Sequence, residues 1–141
     1  MSKNEKEISE EHKQLAANAL KTAPFPKLVG LELADLKYGE AVIKLEMRDE
    51  LRQPYGVLHG GATATLIDTA TAFAVISTQK PDEQSTTVDL TVHYLRPHTT
   101  GEIVCTAKVV RAGRRITTVS AEVANGEGKL IATALSTYMK V

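Results

Sequence analysis

The residues best suited to chemistry lie in one stretch, Val57 to Thr78, with the sequence VLHGGATATLIDTATAFAVIST. Between Gly60 and Lys80 it holds a single ionisable residue, Asp68. The rest is nearly apolar, rich in helix formers and free of proline, for about five helical turns. Such an Asp is either a buried carboxylate satisfied by neighbouring threonines or a working acid. The start of the run favours the second reading. His59-Gly60-Gly61 places two residues without side chains where a helix leaves its backbone N–H groups unpaired. Those groups and the helix dipole attract negative charge, and glycine lets a ligand come close. A site for a developing oxyanion and a carboxylate base on one helix point to hydrolysis of an acyl group.

Spacing adds a constraint. Gly60 and Asp68 are eight residues apart. That is roughly 12 Å of helix rise, too far for both to reach one carbonyl carbon within one subunit. Two copies of the helix, antiparallel about a two-fold axis, would bring the start of one beside the middle of the other. The expectation is a homodimer with two sites, each built from both chains.

An all-round apolar helix must be buried, so the remaining elements should wrap it. The central Asp and the glycine pair argue against a membrane span. The chain of 141 residues suits one domain. Acidic and basic residues balance at 17 each, so nucleic acid is not an expected partner. The single cysteine, Cys105, excludes an intrachain disulfide, and the charged N-terminus carries no apolar signal core. The expected location is cytoplasmic.

Residues 5–22 read as a surface helix with Ile8, Leu15, Ala19 and Leu20 on one face, ended by Pro24 and Pro26. Val29 to Leu36 reads as a first strand closed by Tyr38-Gly39, and Glu40 to Arg48 as a second with one wet face. After the long helix come four more strands. Thr86 to Arg96 puts Val88, Leu90, Val92 and Tyr94 on one face and Asp89, Thr91 and His93 on the other. Glu102 to Arg111 turns through Ala112-Gly113-Arg114 into Ile116 to Val123, and Asn125-Gly126 signals a hairpin into Leu130 to Met139. The fold class is α+β: one buried helix against about six mostly antiparallel strands.

Gln53, six residues before His59, can place an amide near the helix start, or it is a polar loop residue. Arg111, Arg114 and Arg115 cluster across the Gly113 hairpin. They are either strand-end charge or a phosphate clamp, which Arg96 could join. Cys105 sits mid-strand and reads as core. The four histidines show no metal-ligand spacing, and no G-x-S-x-G elbow is present.

Two segments, Q-P-Y-G-V-L-H-G-G-A-T-A-T-L-I-D and T-V-D-L-T-V-H-Y-L-R-P, together resemble the hotdog-fold acyl-CoA thioesterases of the PaaI-like and 4-hydroxybenzoyl-CoA thioesterase type. The resemblance covers residues 25–141 and leaves 1–24 as a helical extension. It implies a hotdog fold, a long helix wrapped by a six-stranded sheet, in dimers or tetramers. Asp68 matches the acid that acts as base or nucleophile, and Gly60 the N–H that polarises the thioester carbonyl. His59 matches a supporting residue, and Gln53 a position that holds Asn or Gln. Thr87 falls where relatives carry Ser or Thr near the attacking water. Tyr94 to Pro97, with Arg96, and Arg111 to Arg115, with Gly113 and Arg114, match segments lining the CoA groove. CoA is then part of the substrate and no separate cofactor is implied. Some relatives hold Glu where this chain has Asp68. Two rivals stand beside the thioesterase reading: a hydroxyacyl dehydratase using His59 as base, and a non-catalytic acyl-CoA-binding protein.

Overall fold

A computed structural model describes residues 6–141. Helix α1 runs Glu10–Thr22. It starts where Ser9 caps it, the hydroxyl accepting the His12 N–H at 3.1 Å, with Glu10 and Glu11 in the first turn. Ala16 and Leu20 are buried in the same core as the strands. Pro24 and Pro26 do end this helix, but they also start another, α2 (Pro24–Val29). Proline is tolerated in a first helical turn, where no intrahelical N–H is needed. Val29 and Gly30 therefore belong to a helix and its cap, not to the expected first strand. Gly30 takes φ 91°, and the Arg48 guanidinium donates to the last carbonyls, Val29 O at 2.7 Å and Leu28 O.

The strands are β1 (Leu31–Lys37), β2 (Glu40–Glu46), β3 (Ser85–Tyr94), β4 (Glu102–Ala112), β5 (Ile116–Asn125) and β6 (Leu130–Lys140). Their order in the sheet is β1-β2-β4-β5-β6-β3, and every pairing is antiparallel. Alternate residues of the central strands point to one face: Ala41, Ile43 and Leu45, then Ile103, Cys105 and Ala107, then Val119, Ala121 and Val123. Against them packs α3 (Gly60–Ile76), through Leu66, Ile67, Ala70 and Ala74. This is the hotdog arrangement expected from the resemblance. Cys105 is fully buried, and burial pushes its thiol up to about 12, as suits a core residue.

Both hairpins form. Asn125 anchors the second through its side-chain oxygen, which accepts the Glu127 and Lys129 N–H groups at 3.0 Å each. Its left-handed residue is Gly128, with φ 78°, not Gly126. The larger departure concerns α3. A single sheet covers one side of a helix. Thr63, Leu66, Ile67, Ala70, Thr71, Ala74 and Val75 are buried, whereas Ala64, Thr65, Asp68 and Ala72 are half-buried and Gly61 and Ile76 exposed. In one chain the helix is not sealed all round. Among the described residues, no helix is long and apolar enough to cross a membrane.

Candidate active site

The start of α3 is held by its own sequence. His59 is extended (φ −61°, ψ 132°) and its Nδ1 accepts the Gly61 N–H at 2.8 Å. A Cβ on Gly61 would stand 2.9 Å from that Nδ1, so the close approach of the ring requires glycine. This bond commits Nδ1 as an acceptor and leaves any proton on Nε2. His59 thus serves the helix end, which weakens its claim as a dehydratase base. The Gly60 N–H finds no partner among the described residues, which suits an anion donor.

Tyr94 sits directly on this peptide. Its hydroxyl donates to Gly60 O at 2.9 Å, and its ring would lie 3.3 Å from a Cβ on Gly60. Gln53, Gly60, Thr63, Tyr94, Arg96 and His98 are among the residues lining a pocket of about 350 Å³ at this helix start. The Gln53 side-chain oxygen accepts the Tyr55 N–H, so it braces its own loop while facing the pocket.

Asp68 lies elsewhere, half-buried on α3 and outside that pocket. Thr87 donates to its Oδ1 at 2.9 Å. Strict alternation along β3 groups Thr87 with Asp89, facing away from Tyr94. A β-bulge reverses this. Thr87 pairs with Tyr138 and Asp89 with Thr137, so Val88 has no partner and turns outward, 55% exposed. The extra residue puts Thr87 on the same face as Leu90, Val92 and Tyr94, toward the helix. Val88 therefore does not share a face with Leu90, Val92 and Tyr94, as strict alternation expects.

Tyr138, on β6, was not singled out in the sequence. It is 3% exposed, and its hydroxyl lies 2.8 Å from Asp68 O, 3.3 Å from Asp68 Oδ1 and 2.7 Å from Thr71 Oγ1. Burial pushes this phenol up to about 12, with the Asp68 charge acting in the same direction. The residue was legible as an inward strand position, but an aromatic near a strand end reads as core unless the Asp68 contact is known.

The arginines split. Arg111, Gly113, Arg114 and Arg115 lie at the β4–β5 hairpin, at the end of the sheet where Thr117 pairs with Tyr138 and Tyr138 with Thr87. Arg96 follows Tyr94, whose partner Ala132 is six residues along β6 from Tyr138. That is roughly 20 Å of strand. Within one chain Arg96 therefore does not join the hairpin arginines, because β3 and β4 leave the sheet at opposite ends.

The profile of the thioesterase superfamily matches residues 55–132. The chain is 32% identical over 115 residues to acyl-coenzyme A thioesterase 13 of Homo sapiens, covering 79% of this chain and 81% of that one. A solved conserved protein of Pseudomonas aeruginosa superposes with TM-score 0.84 at 37% identity, over 89% of this chain and 99% of the other. The PaaI protein of the Escherichia coli phenylacetic acid degradation operon has TM-score 0.85 at 24% identity, over 94% and 96%, a likeness of fold.

Proposed function

The chain belongs to the thioesterase superfamily and is a thioester hydrolase; from that premise we propose that it hydrolyses acyl-CoA at two sites shared across a homodimer. The observation that carries the shared site is a separation. The Gly60 N–H, unpaired among the described residues, and the Asp68 carboxylate sit at different places along one helix, and the face of α3 between them is incompletely covered. An antiparallel second copy supplies the missing half. β3 supports this: it is a ten-residue edge strand with Val88 and Tyr94 exposed, a pairing template that a monomer would leave open. In that arrangement the Arg96 end of one chain meets the Arg111–Arg115 end of the other, giving a cationic border for the CoA phosphates. Exposed Leu135 on the outer face of the sheet supports further association of dimers into a tetramer. The one cysteine, Cys105, is a free buried thiol, which supports a reducing, cytoplasmic location.

In the reaction, the thioester carbonyl oxygen takes a hydrogen bond from Gly60 N–H, lined up by Tyr94 and the His59 cap. Asp68 of the partner subunit accepts a proton from water. Thr87, which donates to Asp68, keeps lone pairs that can hold the same water. Hydroxide attacks the carbonyl carbon, the C–S bond breaks, and the leaving thiolate takes up the proton, giving free acid and CoA. An Asp68→Asn variant should remain a folded dimer with thiol release reduced by about 10²–10⁴-fold, the usual worth of a general base. Parental turnover by that variant would remove the assigned role.

A further inference from the structure

We propose that Tyr138 is a positioning residue that, with Thr87, commits Oδ1 of Asp68 and thereby leaves Oδ2 as the oxygen that accepts the proton from water. The inference rests on the thioesterase reading above and adds a group to its machinery.

Two hydroxyls converge on the same carboxylate oxygen: Thr87 at 2.9 Å from β3 and Tyr138 at 3.3 Å from β6. No hydrogen bond is made to Oδ2 by the described residues. The two donors come from adjacent strands, Thr87 and Tyr138 being direct register partners, so they grip the carboxylate from one side. The bulge at Val88 makes this possible on the β3 side.

The phenol carries one proton and faces three acceptors. Thr71 spends its own proton on Ile67 O at 2.9 Å or Asp68 O at 3.1 Å. Tyr138 can then donate to Asp68 O at 2.8 Å, to Thr71 Oγ1 at 2.7 Å, or to Asp68 Oδ1 at 3.3 Å. An ionised carboxylate draws the proton toward Oδ1, since hydrogen bonds to a charge are the stronger ones. A protonated carboxyl releases it to the backbone carbonyl. The hydroxyl thus favours the anionic base and yields when the base has taken its proton. The donor is present throughout the neutral range, because burial keeps the phenol protonated up to about 12. No Lys, Arg or His side chain forms an ion pair with Asp68 among the described residues, so Tyr138 is the titratable group bonded to it.

The test compares Tyr138→Phe with Ser136→Ala. Ser136 is an equally buried hydroxyl on the same face of β6, but it bonds Asp89 O at 2.8 Å and does not touch Asp68. Steady-state thiol release from an acyl-CoA is followed across pH 5–9. Tyr138→Phe should lower kcat about tenfold, the scale of one lost hydrogen bond to a charged group, with KM within about twofold. The acidic limb of its kcat profile should move to higher pH, because the ionised base loses a donor. Ser136→Ala should lower thermal stability while keeping the parental profile. If Tyr138→Phe matches the parent in kcat and in its acidic limb, or if Ser136→Ala reproduces its effect, Tyr138 is packing alone and the inference falls. A parent protein that releases no thiol overturns the thioesterase reading, and this inference with it.

Discussion

Replacing Gly60 by proline should separate the polarising N–H from everything else that residue does. The position accepts proline. It is the first residue of α3, where proline's fixed φ suits the helix, and its N–H has no partner to lose among the described residues. The preceding His59 is already extended, at φ −61° and ψ 132°, as a residue before proline must be. The new Cβ would come 3.3 Å from Tyr94 Cζ and 3.4 Å from its Cε1 and hydroxyl oxygen. Tyr94 is 55% exposed, so the ring can swing aside, giving up its 2.9 Å bond to Gly60 O. That loss costs about 0.5–1.5 kcal/mol. Restricting the unfolded chain returns about 0.4–1 kcal/mol. Net stability should then change by less than about 1 kcal/mol, a shift of a few degrees in Tm. Catalysis should respond on another scale. Removing one oxyanion donor costs about 2.7–4 kcal/mol, or 10²–10³ in kcat. Gly60→Ala is the control, since it adds the same Cβ and disturbs Tyr94 equally but keeps the N–H. Thiol release from an acyl-CoA, measured for both variants beside circular dichroism melts, gives the ratio that matters. A Gly60→Pro rate within about threefold of Gly60→Ala would refute the assignment of this N–H, whatever its physical state.

Two further outcomes concern the scaffold. Gly30→Ala should lower stability by about 1–3 kcal/mol, read from urea melts, because a left-handed residue gains a Cβ. That Cβ falls 2.7 Å from the Arg48 Nη1 that closes α2. Stability should also be level up to about pH 9 and then fall. The Cys105 thiol is raised from 9.0 to about 12 and the Tyr138 phenol from 10.0 to about 12 by burial. The unfolded chain loses these protons first, so each group removes about 1.4 kcal/mol per pH unit between its unfolded and folded values. Melts from pH 7 to 11 should show the fall, and Cys105→Ala should make it shallower.

The helix was legible because its composition leaves little else for it to be, and the glycine pair beside His59 marked its start. Asp68 stood out as a lone charge in an apolar run. Hairpin residues announced the antiparallel strands. What could not be read turns on interruptions of local rules. Pro24 and Pro26 read as breakers, yet a proline that stops one helix can open the next. Alternation groups Val88 on the face of Leu90, Val92 and Tyr94 because it assumes an unbroken ladder. One bulge there exchanged the faces and brought Thr87 to Asp68. Tyr138 carried no local signal of its contact with Asp68, which lies 70 residues away. The apparent all-round burial of α3 expressed a need for cover that one sheet meets on one side only. Arg96 and the hairpin arginines looked like neighbours in a list of strands but lie at opposite ends of the sheet.

The shared site is tested most directly by mixing two inactive proteins. Gly60→Pro and Asp68→Asn chains, unfolded and refolded together at equal concentration, should form mixed dimers as half of the population. Each mixed dimer would hold one site with both an intact Gly60 and an intact Asp68, so thiol release should recover to about a quarter of the parental rate. Activity that stays at the sum of the two separate variants, with mixed dimers demonstrated by mass spectrometry, would show that each chain works alone and would contradict the account.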